Sequence, residues 1–99
     1  MKKELNKNEL KLTNGGVVLK ASSAFYYLDS IKDKVKADTY YQAKACLNAF
    51  APNQSIVLPI LVIGAPVAGA ITAMELNDRI ESMEPAELAR YLVKCKAAN

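Results

Sequence analysis

A long stretch without charge restricts the fold of this 99-residue chain more than any other feature. No charged residue occurs between Lys44 and Glu75, and residues 56–74 form a 19-residue apolar run inside this stretch. A helix needs about 20 apolar residues to cross a bilayer, so the run is nearly long enough to span a membrane. A buried helix or hairpin in the core of a small domain is the alternative, and the sequence favours neither.

Prolines and small residues interrupt the apolar run. The prolines weaken a continuous helix, although helices in lipid tolerate proline better than soluble helices do. The small residues recur at a spacing of four, which lets two helices approach closely inside lipid. The residues that mark this candidate membrane segment are Ile56, Pro59, Gly64, Ala65, Pro66, Gly69, Ala73 and Met74.

Amphipathic patterns on both sides of the run predict helices. Apolar residues recur at helical spacing in three stripes that begin at Ala24, Tyr40 and Leu76. The third stripe breaks at Pro85, a residue that the first turn of a helix tolerates. Strand-like alternation is weak. We therefore predict an all-α fold, either a small helical bundle or loosely packed helices, preceded by a short amphipathic helix.

The composition argues against several classes of function. The chain has no His, the commonest general base and metal ligand, and its two Cys are too few for a structural zinc site. We therefore expect no enzymatic activity, no metal and no cofactor. The net charge of +3 is small, and the basic residues do not cluster as a nucleic-acid-binding face requires, so we expect no nucleic-acid partner.

The two cysteines have two interpretations, which depend on the compartment. In the cytosol, Cys46 and Cys95 would be small buried hydrophobic residues. In a secreted chain, an even pair is read as one disulfide. Each cysteine lies on an apolar stripe, so the packing of one helix on the other would bring the two together.

The first 16 residues differ from the rest of the chain. They are polar, carry four Lys and two Glu, and lack the apolar core of a secretory signal peptide. Leu5, Glu9, Leu10, Gly15 and Gly16 stand in the pattern L-x-x-x-E-L-x-x-x-x-G-G. This pattern resembles the leader of double-glycine precursors, a family that includes bacteriocins, microcins and peptide pheromones.

The resemblance implies a processing route. A cysteine peptidase domain fused to an ABC transporter would cut after Gly16, and the transporter would export residues 17–99 from the bacterial cytoplasm. The chain would then consist of a leader, residues 1–16, and a cargo, residues 17–99. The implied cleavage-site residues are Gly15, Gly16 and Val17. The implied recognition residues are Leu5, Glu9, Leu10, Leu12 and Thr13.

The chemistry of the segment agrees with this route. Two glycines give an extended chain that fits a narrow slot beside a catalytic thiolate. Leu5, Leu10 and Leu12 would share one broad face of a helix that docks in an apolar groove. Thr13 departs from the family, which usually has an aliphatic residue there, and Leu12 compensates for it in this hypothesis. The alternative is a short helix that ends in a glycine C-cap.

The cargo carries no motif of its own. Its layout, with an uncharged Gly/Ala-rich run, is similar to that of the larger double-glycine bacteriocins, so we expect a membrane-active cargo whose target is a bacterial membrane or a receptor. Two alternatives remain open. One is a cytosolic helical interaction protein, such as an immunity-type bundle of about 100 residues, and the other is an exported signalling peptide.

Overall fold

The computed structural model describes residues 10–13, 16–60 and 72–98. Within these ranges the chain forms a mixed α/β fold, so the all-α prediction is wrong. The strands are β1 (Lys11–Thr13), β2 (Gly16–Lys20), β3 (Ser55–Leu58) and β4 (Lys96–Ala97). The helices are α1 (Ala21–Ser30), α2 (Ala37–Asn48), α3 (Ala73–Glu81) and α4 (Pro85–Val93), with a 3-10 turn at Lys32–Lys34.

The four strands form one antiparallel sheet in the order β1-β2-β3-β4. Val17 in β2 pairs with Leu12 on one side and with Leu58 on the other. β-branched and aliphatic residues such as Val17, Val18 and Ile56 suit a pleated surface, which explains why these segments are strands. The strands are short, and β2 buries two successive residues, Gly16 and Val17, so its sequence shows no clean alternation.

Helices occur at each of the three predicted stripes. Ala24 and Leu28 are buried on α1, and Tyr40, Ala43 and Leu47 are buried on α2. The break at Pro85 is confirmed, because this residue occupies the first turn of α4. Helix α3 begins after Thr72, whose hydroxyl accepts a hydrogen bond from the Glu75 amide.

The hydrophobic core lies between the sheet and the helices. Helix α2 packs on α1 and α4, α1 also contacts β2, and α3 contacts β1. Fully buried aliphatic side chains come from both layers: Val17, Leu19, Leu28, Leu47, Ile56, Leu58, Leu76, Ile80, Leu88 and Leu92. The core therefore depends on contacts between segments that are far apart in sequence.

The apolar run lies partly outside the described residues. Its first residues form β3, where Ile56 and Leu58 are fully buried, and its last residues, Ala73 and Met74, begin α3. Pro59 is half-buried just beyond β3. The predicted membrane residues Gly64, Ala65, Pro66 and Gly69 fall outside the described ranges. Among the helices that the structure describes, none combines the length and apolarity needed to cross a membrane.

Candidate processing site

The predicted leader residues divide into two groups. Leu5, Glu9 and Gly15 fall outside the described residues. Leu10, Leu12, Thr13, Gly16 and Val17 lie within them, at the β1–β2 hairpin. The predicted docking helix is wrong for its last residues, because Lys11–Thr13 is a strand that pairs with β2. The predicted boundary between leader and cargo therefore falls one residue inside β2.

Gly16 occupies a position that only glycine fits. Its φ of +134° is one that L-residues with a side chain rarely adopt. A Cβ at this position would overlap the carbonyl oxygen of Leu58 and would come within 2.8 Å of the Cα atom of Pro59. The fold alone therefore explains why residue 16 is a glycine, without reference to a peptidase.

The bond that a double-glycine peptidase would cut joins Gly16 to Val17. Gly16 is buried, and Val17 has no exposed surface. The carbonyl oxygen of Gly16 is the acceptor of a 3.0 Å hydrogen bond from Oγ1 of Thr13. In the folded chain, this carbonyl group is already engaged and lies inside a paired strand.

Leu10 is part of the same arrangement. It precedes β1 and is only 4% exposed, within the main core cluster. The side chain that the leader pattern assigns to peptidase recognition is therefore packed against the cargo. The hairpin brings together Leu10, Thr13, Gly16 and Val17, four of the residues singled out from the sequence.

The structure also brings the two cysteines together. Cys46 lies near the end of α2 and Cys95 follows α4, and their Cα atoms are 6.2 Å apart in a disulfide pair. Cys95 is 8% exposed, and β4 begins at the next residue, where Lys96 pairs with Val57. The disulfide therefore lies next to the attachment of the last strand to the sheet.

A buried polar pair lies elsewhere in the core and was not predicted from the sequence. The hydroxyl of Tyr27 on α1 donates a hydrogen bond to Oδ1 of Asn77 on α3. Burial raises the pKa of Tyr27 well above its ordinary value of 10, and the nearby Glu81 carboxylate adds to the rise. No motif marks this pair, because its members are 50 residues apart.

An open groove of about 1100 Å³ lies between the start of α2 and the start of α4. Its charged lining mixes Lys34, Lys36 and Arg90 with Asp33, Glu84 and Glu87, so neither sign prevails. Among the described residues, no group of three or more His, Cys, Asp or Glu side chains could hold a metal ion. The hairpin thus remains the site to which sequence and geometry both draw attention.

Comparison with known proteins gives no further guide to function. No family model, curated protein or solved structure matches the chain.

Proposed function

We propose that this chain is the precursor of a secreted protein, cut after Gly16 by the peptidase domain of an ABC transporter that exports residues 17–99. The double-glycine pattern in residues 1–16 supports this export route, and the same residues lack the apolar core of a secretory signal peptide. The exported part contains both cysteines of the chain.

The disulfide pair is the observation that carries the proposal. Cys46 and Cys95 are separated by 49 positions, and the fold brings them to a Cα–Cα distance of 6.2 Å. Disulfides persist in oxidising surroundings and are rare in the cytosol. A disulfide that uses every cysteine supports a final location outside the cytoplasm.

For the cargo, the proposal is a bacteriocin-type activity at a bacterial membrane. The uncharged run at residues 56–74 supports it. Ile56, Leu58 and Ile60 are buried in the folded chain, so insertion would require the run to leave the core. A Lys at Gly69 should abolish dye leakage from vesicles, because a charge at mid-membrane costs about 2.5–3.5 kcal/mol on insertion scales. An unmutated cargo that neither causes dye leakage from vesicles nor harms related bacteria would exclude this activity.

A second candidate is a cytosolic interaction protein, and the burial of Leu10 and Gly16 favours it. In such a protein the first strand would be a permanent part of the fold, and the glycine would serve the hairpin alone. The cysteines would then remain reduced.

Secretion and processing in the producing bacterium separate the two candidates. Mass spectrometry of the culture medium should find a protein that begins at Val17 and has lost two protons relative to its free thiols. Gly15→Val should abolish secretion because a branched side chain blocks the peptidase slot, whereas Lys11→Ala serves as the control and should not. Full-length chain with two alkylatable thiols, confined to the cells, would refute export and leave the cytosolic candidate.

A further inference from the structure

We infer that folding closes the processing site, so that the peptidase cuts only a precursor whose β1–β2 hairpin is open. This inference rests on the proposed function and adds its regulation. Gly16 and Val17 of the predicted cleavage site are also residues of β2, and they cannot be paired in the sheet and bound in a peptidase slot at the same time.

The first reason is the state of the backbone at the scissile bond. A peptidase holds its substrate as an extended strand and needs the scissile carbonyl oxygen free for its own hydrogen-bond donors. In the fold, β2 already pairs with β1 on one side and with β3 on the other. The Gly16 carbonyl oxygen already accepts the hydroxyl of Thr13 at 3.0 Å.

The second reason is the burial of the recognition residue. Leu10 is 4% exposed, so its side chain cannot enter a groove on another protein without leaving the core. Gly16 cannot move out alone either, because its backbone packs against Leu58 and Pro59. Access to the bond therefore requires β1 and the start of β2 to separate from the sheet together.

The third reason concerns timing. The disulfide between Cys46 and Cys95 adjoins the strand that closes the far edge of the sheet, where Lys96 pairs with Val57. In the reducing cytosol this cross-link is absent, so the hairpin opens more often there. After export, oxidation would stabilise a fold whose leader has already been removed.

Limited proteolysis tests the closure with two proteases. Thermolysin cuts before aliphatic residues and does not recognise a leader, so it reports only on access to the bond before Val17. The peptidase domain of the transporter reports on access to this bond and on leader recognition together. The substrates are the oxidised full chain and a synthetic peptide of residues 1–20. Cleavage between Gly16 and Val17, followed by mass spectrometry, should be at least about 100-fold slower in the folded chain than in the peptide for both proteases.

Two variants on α2 test whether the stability of the whole fold controls the opening of the hairpin. Leu47 is fully buried and Lys44 is exposed, and α2 packs on α1 and α4. Leu47→Ala destabilises the fold away from the hairpin and should raise cleavage of the full chain by about 10-fold or more, up to the rate of the peptide. Lys44→Ala should stay within about twofold of the unmutated chain.

The outcomes distinguish the inference from the proposed function. Equal cleavage of peptide and folded chain between Gly16 and Val17 would overturn the closure and leave the proposed function standing. A Leu47→Ala chain that remains folded and is cut no faster than the unmutated chain would overturn the coupling of hairpin opening to the stability of the whole fold, on which the argument from the disulfide rests. If the peptidase domain cuts neither substrate, the proposed function fails and the inference fails with it.

Discussion

Oη of Tyr27 donates a hydrogen bond of 2.5 Å to Oδ1 of Asn77, and this bond joins α1 to α3 across 50 positions of sequence. Tyr27 is fully buried and Asn77 is 3% exposed. A buried amide group needs a hydrogen-bond partner within the protein, because water could replace that partner only by entering the core. The pair therefore fixes how α3 sits on α1.

Removal of the Tyr27 hydroxyl should destabilise the fold. Tyr27→Phe leaves Oδ1 of Asn77 buried without its donor, so we expect a loss of about 1–3 kcal/mol in the free energy of unfolding. Tyr26→Phe is the matched control, since Tyr26 is 49% exposed, and it should cost less than about 0.5 kcal/mol. Urea denaturation of both variants provides the measurement. Equal midpoints for the two would contradict the importance of the bond.

Alkaline pH should weaken the fold through the same residue. Burial raises the pKa of Tyr27 in the folded chain above its ordinary value of 10. Above about pH 10 the unfolded chain loses this proton first, so the unfolded state binds fewer protons and the free energy of unfolding falls as pH rises. Below pH 10 both states keep the proton, and this contribution is constant. The difference in the free energy of unfolding between the unmutated chain and Tyr27→Phe should therefore shrink as pH rises above about 10, and a difference that stays constant up to about pH 11 would contradict the linkage.

Gly16→Ala should destabilise the folded chain even where no peptidase is present. The positive φ and the overlap with the Leu58 carbonyl oxygen together should cost about 3 kcal/mol or more. Lys11→Ala, at an exposed position of β1, should cost less than about 0.5 kcal/mol. The same Gly16→Ala change in a peptide of residues 1–20 reports on the peptidase alone. Unchanged stability of the full chain would mean that the hairpin does not need the glycine.

Thr13→Val should loosen the hairpin and, under the proposed function, strengthen recognition by the peptidase at the same time. Loss of the hydroxyl that binds the Gly16 carbonyl oxygen should cost about 1 kcal/mol. The aliphatic side chain also restores the residue type that double-glycine leaders usually have at this position. Cleavage should therefore rise in the folded chain and in the peptide alike. With thermolysin, the rate of cleavage between Gly16 and Val17 should rise only in the folded chain. A higher rate in the peptide as well would contradict a role for this hydrogen bond in protecting the bond from cleavage.

Reduction of the disulfide should lower the stability of the fold. Cys46 and Cys95 enclose a loop of about 50 residues, for which the chain-entropy model gives about 4 kcal/mol. The double substitution Cys46→Ser and Cys95→Ser should lower the urea midpoint as reduction does, and reductant should not affect the variant. If the oxidised and the reduced chain have the same urea midpoint, the disulfide does not stabilise the fold as the chain-entropy model predicts.

The helices were predictable because their signal is local. The stripes at Ala24 and Tyr40 and the break at Pro85 each occupy a few turns of one segment. The sheet was missed because β2 and β3 owe their structure to each other, through pairs such as Val17 with Leu58. One local signal was present: Asn14-Gly15 is the dipeptide most typical of two-residue hairpin loops. The leader pattern assigns Gly15 of this dipeptide to a cleavage site instead.

The residues of the candidate site come from the sequence alone, and their geometry comes only from the fold. A linear pattern picked out Leu10, Thr13, Gly16 and Val17, because leader recognition is read along the chain. The bond from Thr13 to the Gly16 carbonyl oxygen, and the burial of Leu10, arise only when the hairpin packs on the core. Tyr27 and Asn77 gave no signal, because a buried hydrogen bond between distant helices leaves no periodic trace.

The link between Cys46 and Cys95 closes residues 46–95 into a covalent ring that contains β3, α3 and α4. A single proteolytic nick anywhere inside this ring leaves one molecule of two joined chains, and no fragment escapes. A second nick within the ring is needed to free any part of residues 46–95, and reductants are scarce where disulfides persist. In a medium rich in proteases, a first cut between Cys46 and Cys95 would therefore leave the mass of the protein unchanged except for one added water.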